Sequence, residues 1–282
     1  MMRRTAAILA LCLFSSLLVA GTLGPAPSEG ASAACSEADY ASLPSGQADG
    51  TLCEAQDTGR VFRWSTEAAR WLPPDVVPTD AFLAYAGSAI PTAATPAWTR
   101  TATDTYSEAV AGGVLTITDS DASGRCWYQR SEAEIVNTND LGVVIRLRIT
   151  SITGAAGTGY KAFVCLAAHA AANVGCWTLQ FTGSLDELTN ISPMNVANGS
   201  VLSGETVTWS PNNSAWHTYL LRYWSTEDRY SFDALDVHVL EYMKATKFTS
   251  NPGFPYGSIS WGTSATSSTL TMEVDGIVAF IH

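Results

Sequence analysis

Apolar and polar residues alternate with period two through most of the chain. In "GVVIRLRIT", Val143, Ile145, Leu147 and Ile149 fall on one face, and Val144, Arg146, Arg148 and Thr150 on the other. In "WHTYLLRYW", His217, Tyr219, Leu221 and Tyr223 oppose Trp216, Thr218, Leu220, Arg222 and Trp224. The runs "GGVLTITD", "CWYQR", "YKAFVCLA", "VGCWTLQF", "YGSISWG" and "TLTMEVDGIVAFI" are strand-like as well, punctuated by Gly, Asn, Asp, Ser or Pro clusters. No helical period of any length appears. Many evenly spaced strands predict an all-β fold, an antiparallel β-sandwich or jelly roll, over residues 97–282. The Val143 face belongs in its core, and the arginine face meets water or a groove.

Upstream the pattern changes. Two short strand signals, "GTLCE" and "RVFRW", flank the turn Asp57-Thr58-Gly59, and Trp71-Leu72-Pro73-Pro74 follows. They predict a small β-meander module over 34–76, too small to bury a core alone. A Cys35–Cys53 bridge closing a loop of about 18 residues would add roughly 3 kcal/mol in the chain-entropy model. Packing against a copy of the module would help too. Residues 77–96, rich in Pro, Ala and Thr, read as a linker. Residues 1–33 have the layout of a signal peptide: Arg3 and Arg4, an apolar run from Ala6 to Ala20, and "ASA" at 31–33. Cleavage after Ala20 and an uncleaved anchor are the competing readings. No later run is long enough to cross a membrane as a helix, so the mature chain is expected to be secreted or at the cell surface, not membrane-inserted.

The chain of 282 residues carries a formal net charge of −11. Losing Arg3, Arg4 and Glu29 with the signal makes it −12. That balance argues against nucleic acid and anionic membranes as partners. Five cysteines remain after the signal: Cys35, Cys53, Cys126, Cys165 and Cys176. Export makes them disulfide candidates. Cys165 and Cys176 straddle the turn-like "AAHAAANVG", and antiparallel pairing about its middle sets them opposite each other. Cys126 is then a buried thiol, or else the true partner of one of these two. There is no Cys-x-x-Cys, and the four histidines are scattered, which argues against zinc. Asp119, Asp121, Asp186 and Glu187 could offer oxygens to calcium but form no ordered ligand loop. No cofactor or metal is expected.

Several features in order resemble the concanavalin A-like lectin/glucanase superfamily: "GVLTITD" (113–119), the aromatic "CWYQR", two long paired strands, "WHTYLL" (216–221) and the closing "MEVDGIVAFI" (272–281). The resemblance implies the same sandwich and a carbohydrate ligand. The module resembles N-terminal modules of phage tail-fibre and appendage proteins through Leu43, Pro44, Gly50, Asp57, Thr58, Gly59, Phe62, Trp64, Trp71 and Pro73. That second resemblance implies a homo-oligomer, a trimer, assembled through the module.

Hydrolases of the superfamily carry Glu-x-Asp-x-Glu on one strand. Here Glu132 and Glu134 are followed by Val136, and Glu273 and Asp275 by Ile277, so neither set is complete. His217 has no acid placed by local sequence to orient it, and the superfamily uses this Trp-His pair structurally. No catalytic residue is assigned. Aromatic faces and planar guanidinium groups suit sugars. The candidate ligand-binding residues are Tyr128, Arg146, Arg148, His217, Tyr256 and Trp261, with binding expected near Tyr128, Arg146 and Arg148. The expected function is a secreted, non-catalytic carbohydrate-binding or adhesin-like surface protein with a glycan or polysaccharide as partner. The alternatives are a polysaccharide-degrading enzyme of the same superfamily and a structural appendage or virion component.

Overall fold

The computed structural model describes residues 35–102, 105–120, 125–154, 160–168, 175–181, 188–195, 200–201, 214–227, 229–236, 241–244, 256–264 and 268–282. Residues 1–33, read above as a signal peptide, and the acids Asp121, Asp186 and Glu187 lie outside the described residues.

Three sheets make up the described chain. A four-stranded sheet holds β1 (Cys35–Glu37), β2 (Leu52–Ala55), β3 (Arg60–Ser65) and β4 (Arg70–Leu72) in that order, with β1 parallel to β2. An eight-stranded sheet is built from β5 (Asp80–Tyr85), β7 (Tyr106–Ala111), β8 (Val114–Asp119), β10 (Leu141–Gly154), β15 (His217–Trp224), β16 (Arg229–Ala234), β17 (Glu241–Lys244) and β19 (Ser268–Ile281). Its order is β17-β16-β15-β10-β19-β8-β7, with β5 also paired to β19. A seven-stranded sheet contains β6 (Thr99–Ala102), β9 (Arg125–Ser131), β11 (Tyr160–Ala167), β12 (Gly175–Phe181), β13 (Leu188–Asn195), β14 (Ser200–Val201) and β18 (Ser258–Ser264). There the order is β14-β13-β12-β11-β18-β9-β6.

The two large sheets stack as the alternation requires. Val143, Ile145, Leu147 and Ile149 of β10 and Tyr219, Leu221 and Tyr223 of β15 share one buried cluster with Ala162, Val164 and Leu166 of β11 and Ile259 and Trp261 of β18. The fold is the expected all-β antiparallel sandwich.

A bulge in β19 breaks the alternation. Arg146 pairs with Gly276 and Leu147 with Val274, which leaves Asp275 as the extra residue. The inward set passes from Leu270, Met272 and Val274 to Ile277 and Ala279. Alternation with Met272 and Val274 turns Glu273 and Asp275 out of the core, beside Arg148 and Arg146, and the bulge sets Asp275 next to Gly276 on that outer face.

The outer face of the eight-stranded sheet is only partly polar. Val144, Leu220, Leu235, Val278 and Phe280 are buried there, in a second cluster with Cys53, Phe62, Trp64, Trp71 and Leu72 of the small module. Each aliphatic or aromatic side chain covered in this way gains about 1.5–3 kcal/mol relative to exposure. The module cannot bury a core alone, and here its own chain's sandwich covers it. Arg60 adds a two-pronged pair to Asp233, at 2.6 and 3.1 Å, and a 3.2 Å bond to the carbonyl of Ala234. Asp75 adds a 3.0 Å bond to the buried Arg222.

The segment 77–96 differs from the expected linker. It carries β5, which pairs antiparallel with β19 through Tyr85↔Ile277, Ala84↔Val278 and Leu83↔Ala279. Leu83 and Tyr85 lie in the sandwich core. Pro and Ala dominate around this strand, which hides it, but "AFLAY" puts Leu83 and Tyr85 two apart on the inward face.

Cys35 and Cys53 form a disulfide. Cys165 is disulfide-bonded, and its cross-strand register partner is Cys176. Cys126 is a free, buried thiol. Burial first, and then the charges of Glu108 and Asp119, push its pKa up to about 12.

Candidate functional site

The module does not lie flush along the whole sheet. Between them runs a cleft of about 290 Å³. One wall comes from the module, with Tyr40, Leu43, Trp64, Arg70 and Trp71. The other comes from the outer face of the eight-stranded sheet, with Arg146, Trp216, Thr218, Asp236 and Asp275. Its volume sits at the low end of the range for small-molecule sites, and aromatic surface combined with a few convergent polar groups is their usual lining.

The module wall is fixed by its own bonds. Trp71 donates its indole N–H to the carbonyl of Pro44 at 2.9 Å and accepts at its own carbonyl from the Tyr40 hydroxyl at 2.8 Å. Trp64 and Trp71 meet edge to face with centroids 5.4 Å apart. Burial raises the Tyr40 pKa, and Asp236 raises it further, while Arg70 and Arg146 pull it back. The phenol therefore stays protonated and serves as a donor.

The sheet wall follows from β10 and the bulge. Arg146 is ion-paired with Asp275, and Arg148 with Glu273 at 2.6 Å. Both guanidinium groups also lie over the Trp216 ring, 5.0 and 4.7 Å from its centroid. Asp236 sits in the turn after β16. It accepts from the Thr218 backbone N–H at 3.2 Å and faces His217 Nδ1 at 3.0 Å. A carboxylate only accepts, so Nδ1 carries the proton.

The expected site residues divide. Arg146 lines the cleft and Arg148 flanks it. Tyr128 does not join them. It is fully buried in the sandwich core, on the other sheet, with its hydroxyl on Glu108. Inward alternation along β9, paired to β18, places it there. Trp261 is likewise core, 4.8 Å from Tyr128 and 5.9 Å from Trp98 by ring centroids. Tyr256 is 45 % exposed, just ahead of β18. His217 is on the inward side of β15 and does not line the cleft; Asp236, held by it, does. The expectation that nothing orients His217 is corrected by this pair. Asp236 follows 19 residues later, across the β15–β16 hairpin, where no local motif announces it.

Sequence reading missed Tyr40, Arg70, Trp71, Trp216 and Asp236 as site residues. The available signal was the apolar outward set Val144, Leu220, Val278 and Phe280, because a sheet apolar on both faces must be covered twice. Among the described residues no three His, Cys, Asp or Glu side chains are grouped to hold a metal ion. No helix among them is long and apolar enough to cross a membrane.

No protein-family model matches the chain, and no curated protein matches it. Solved structures do. A protein of unknown function from Shewanella oneidensis MR-1 is similar over 70% of this chain and 84% of its own, at 11% identity and a TM-score of 0.50. A carbohydrate esterase of the Shiga toxin-encoding bacteriophage phi24B matches over 72% of this chain and 98% of its own, at 13% identity and 0.46. Peanut lectin matches over 71% and 96%, at 11% identity and 0.47. At such identities only the fold is shared, and the chain is a two-sheet antiparallel β-sandwich.

Proposed function

We propose that the protein is a secreted, non-catalytic carbohydrate-binding protein, adhesin-like in role, and that its glycan lies in the cleft between the small module and the sandwich. One observation carries this reading: Trp71, Trp216 and Tyr40 line the same 290 Å³ space as Arg70, Arg146, Asp236 and Asp275. Aromatic rings offer flat apolar faces to the C–H side of a pyranose, and carboxylates and guanidinium groups hold its hydroxyls. The disulfide Cys35–Cys53 fits an oxidising compartment. A glycan array probed with the purified protein tests the reading; binding lost on Trp216→Ala supports it, and an empty array overturns it.

A second reading, a hydrolase, is favoured by one fact: Asp236 and Asp275 line one cleft. It ranks lower because both carboxylates are committed as acceptors, Asp275 to Arg146 and Asp236 to His217 and Thr218. A general acid must give a proton. A reducing-end assay on the array's binders separates the two.

A further inference from the structure

We infer that the cleft selects a sugar bearing a carboxylate, a uronate or a sialate, and that Arg70 is the residue that holds that carboxylate. The inference rests on the carbohydrate-binding reading above and adds its ligand class. Arginines of this chain find acids readily, since Asp and Glu number 26 against 15 Lys and Arg. Every other arginine whose side chain is described has a carboxylate partner. Arg70 has none among the described residues. Its hydrogen bond is a 3.0 Å contact from Nη1 to the carbonyl of Ala69, its own neighbour. A guanidinium left unpaired in so acidic a chain, in the wall of a cleft, is a vacant fork for a planar anion.

The fork is also positioned. Ala69, beside it in the cleft wall, has φ of 49°, a left-handed conformation that a non-glycine residue adopts at a cost. On the far side, Gly276 leaves the guanidinium room, for a Cβ there would stand 3.1 Å from Arg70 Nη2 and 3.0 Å from the Tyr85 carbonyl. Gly276 directly follows the bulged Asp275, so the bulge that sets the two side by side on the outer face also opens the slot for Arg70. The remaining polar groups suit the rest of a sugar. Asp236 and Asp275 accept from hydroxyl groups, and the aromatic walls take the ring. Arg146 and Arg148 are a poorer choice for the carboxylate, because a ligand would have to displace Asp275 and Glu273 from them.

The test uses the whole protein and matched pairs of glycans: polygalacturonate and its carboxyl-reduced form, and sialyllactose and lactose. The expected result is retention of one or both acidic members with their neutral counterparts at least about tenfold weaker, the size of one charge-assisted hydrogen-bond pair. Arg70→Ala should abolish that preference, and Arg70→Lys, which keeps the charge but loses the fork, should restore only part of it. The polygalacturonate and sialyllactose arms tell the two sources of carboxylate apart. Arg70 forms no ion pair in the fold, so an unchanged melting temperature accompanies the expected loss. Equal retention of acidic and neutral members, or an acidic preference that survives Arg70→Ala, overturns the inference and leaves the carbohydrate reading standing. Retention of no glycan overturns both.

Discussion

Arg60 of the small module grips Asp233 of the sandwich with two guanidinium nitrogens, at 2.6 and 3.1 Å. The Asp233 side chain is 2 % exposed, so the pair lies at the bottom of the seam between module and sheet. Removing one partner of a buried pair strands the other charge without solvent. Arg60→Ala should therefore destabilise the protein by about 3 kcal/mol, the low end for such pairs because Arg60 itself is a quarter exposed. Urea unfolding of the two proteins measures it, and a difference below about 1 kcal/mol would show that water reaches Asp233.

The same carboxylate predicts a pH dependence. Burial raises the Asp233 pKa above its ordinary 3.8, and the hydrogen bonds and charge of Arg60 recover only part of that shift. Between 3.8 and the raised value the native state binds more protons than the unfolded chain, so this group's contribution to stability falls as pH rises through that window and is constant above it. Asp233→Asn has no such step. The stability of the natural protein relative to Asp233→Asn should then be greatest in acid and decline toward neutrality, a slope that paired unfolding curves at a series of pH values would show. A difference that grows with pH contradicts the burial.

Local pattern made the sandwich legible and left the seam hidden. The inward residues of β10 and β15 could be read from alternation because a slip of one residue would expose them all. The outward residues were harder. Arg146 and Arg148 suggested a wet face, while Val144 and Leu220, equally outward, needed a cover that lies about 70 to 180 residues earlier in the chain. The bulge at Asp275 and Gly276 was missed for a similar reason. "DG" was visible, but which partner strand would absorb an extra residue depends on β10, far away in sequence. Tyr128 and Trp261 failed as ligand residues because an aromatic on a strand has no mark of its own. Its face is set by register, and theirs points into the core.

Cysteine chemistry follows from placement. Cys35 is joined to Cys53, Cys165 is bonded and sits opposite Cys176, and Cys126 is buried with its pKa pushed up to about 12. A thiol so protonated and so enclosed is a poor nucleophile. Native protein treated with iodoacetamide at pH 8 should show no labelling at Cys126, and label there in full once unfolded. Non-reducing peptide mapping should find Cys35–Cys53 and Cys165–Cys176. A Cys126 link to either of the last two would contradict the register of β11 and β12.

The last prediction concerns His217. With Asp236 holding Nδ1, it has the orienting acid that a catalytic histidine needs, and the pair is enough to ask whether the protein turns anything over. Its position argues for support. The ring stands on the inward side of β15 with Tyr219, only 7 % exposed, while its neighbours Trp216 and Thr218 face the cleft. Asp236, not His217, presents oxygen to a ligand there, and the imidazole fixes the direction of that carboxylate. His217→Ala leaves Asp236 its bond from the Thr218 N–H and takes away the other. It should cost about 1.5–3 kcal/mol of stability, the scale of a lost hydrogen bond to a charged group, and weaken glycan retention through a looser Asp236. Neither protein should release reducing ends from any polysaccharide it retains. His217→Gln, which can still donate to Asp236, should recover part of the retention. Turnover by the natural protein that vanishes in both variants would make His217 a base and the cleft an active site.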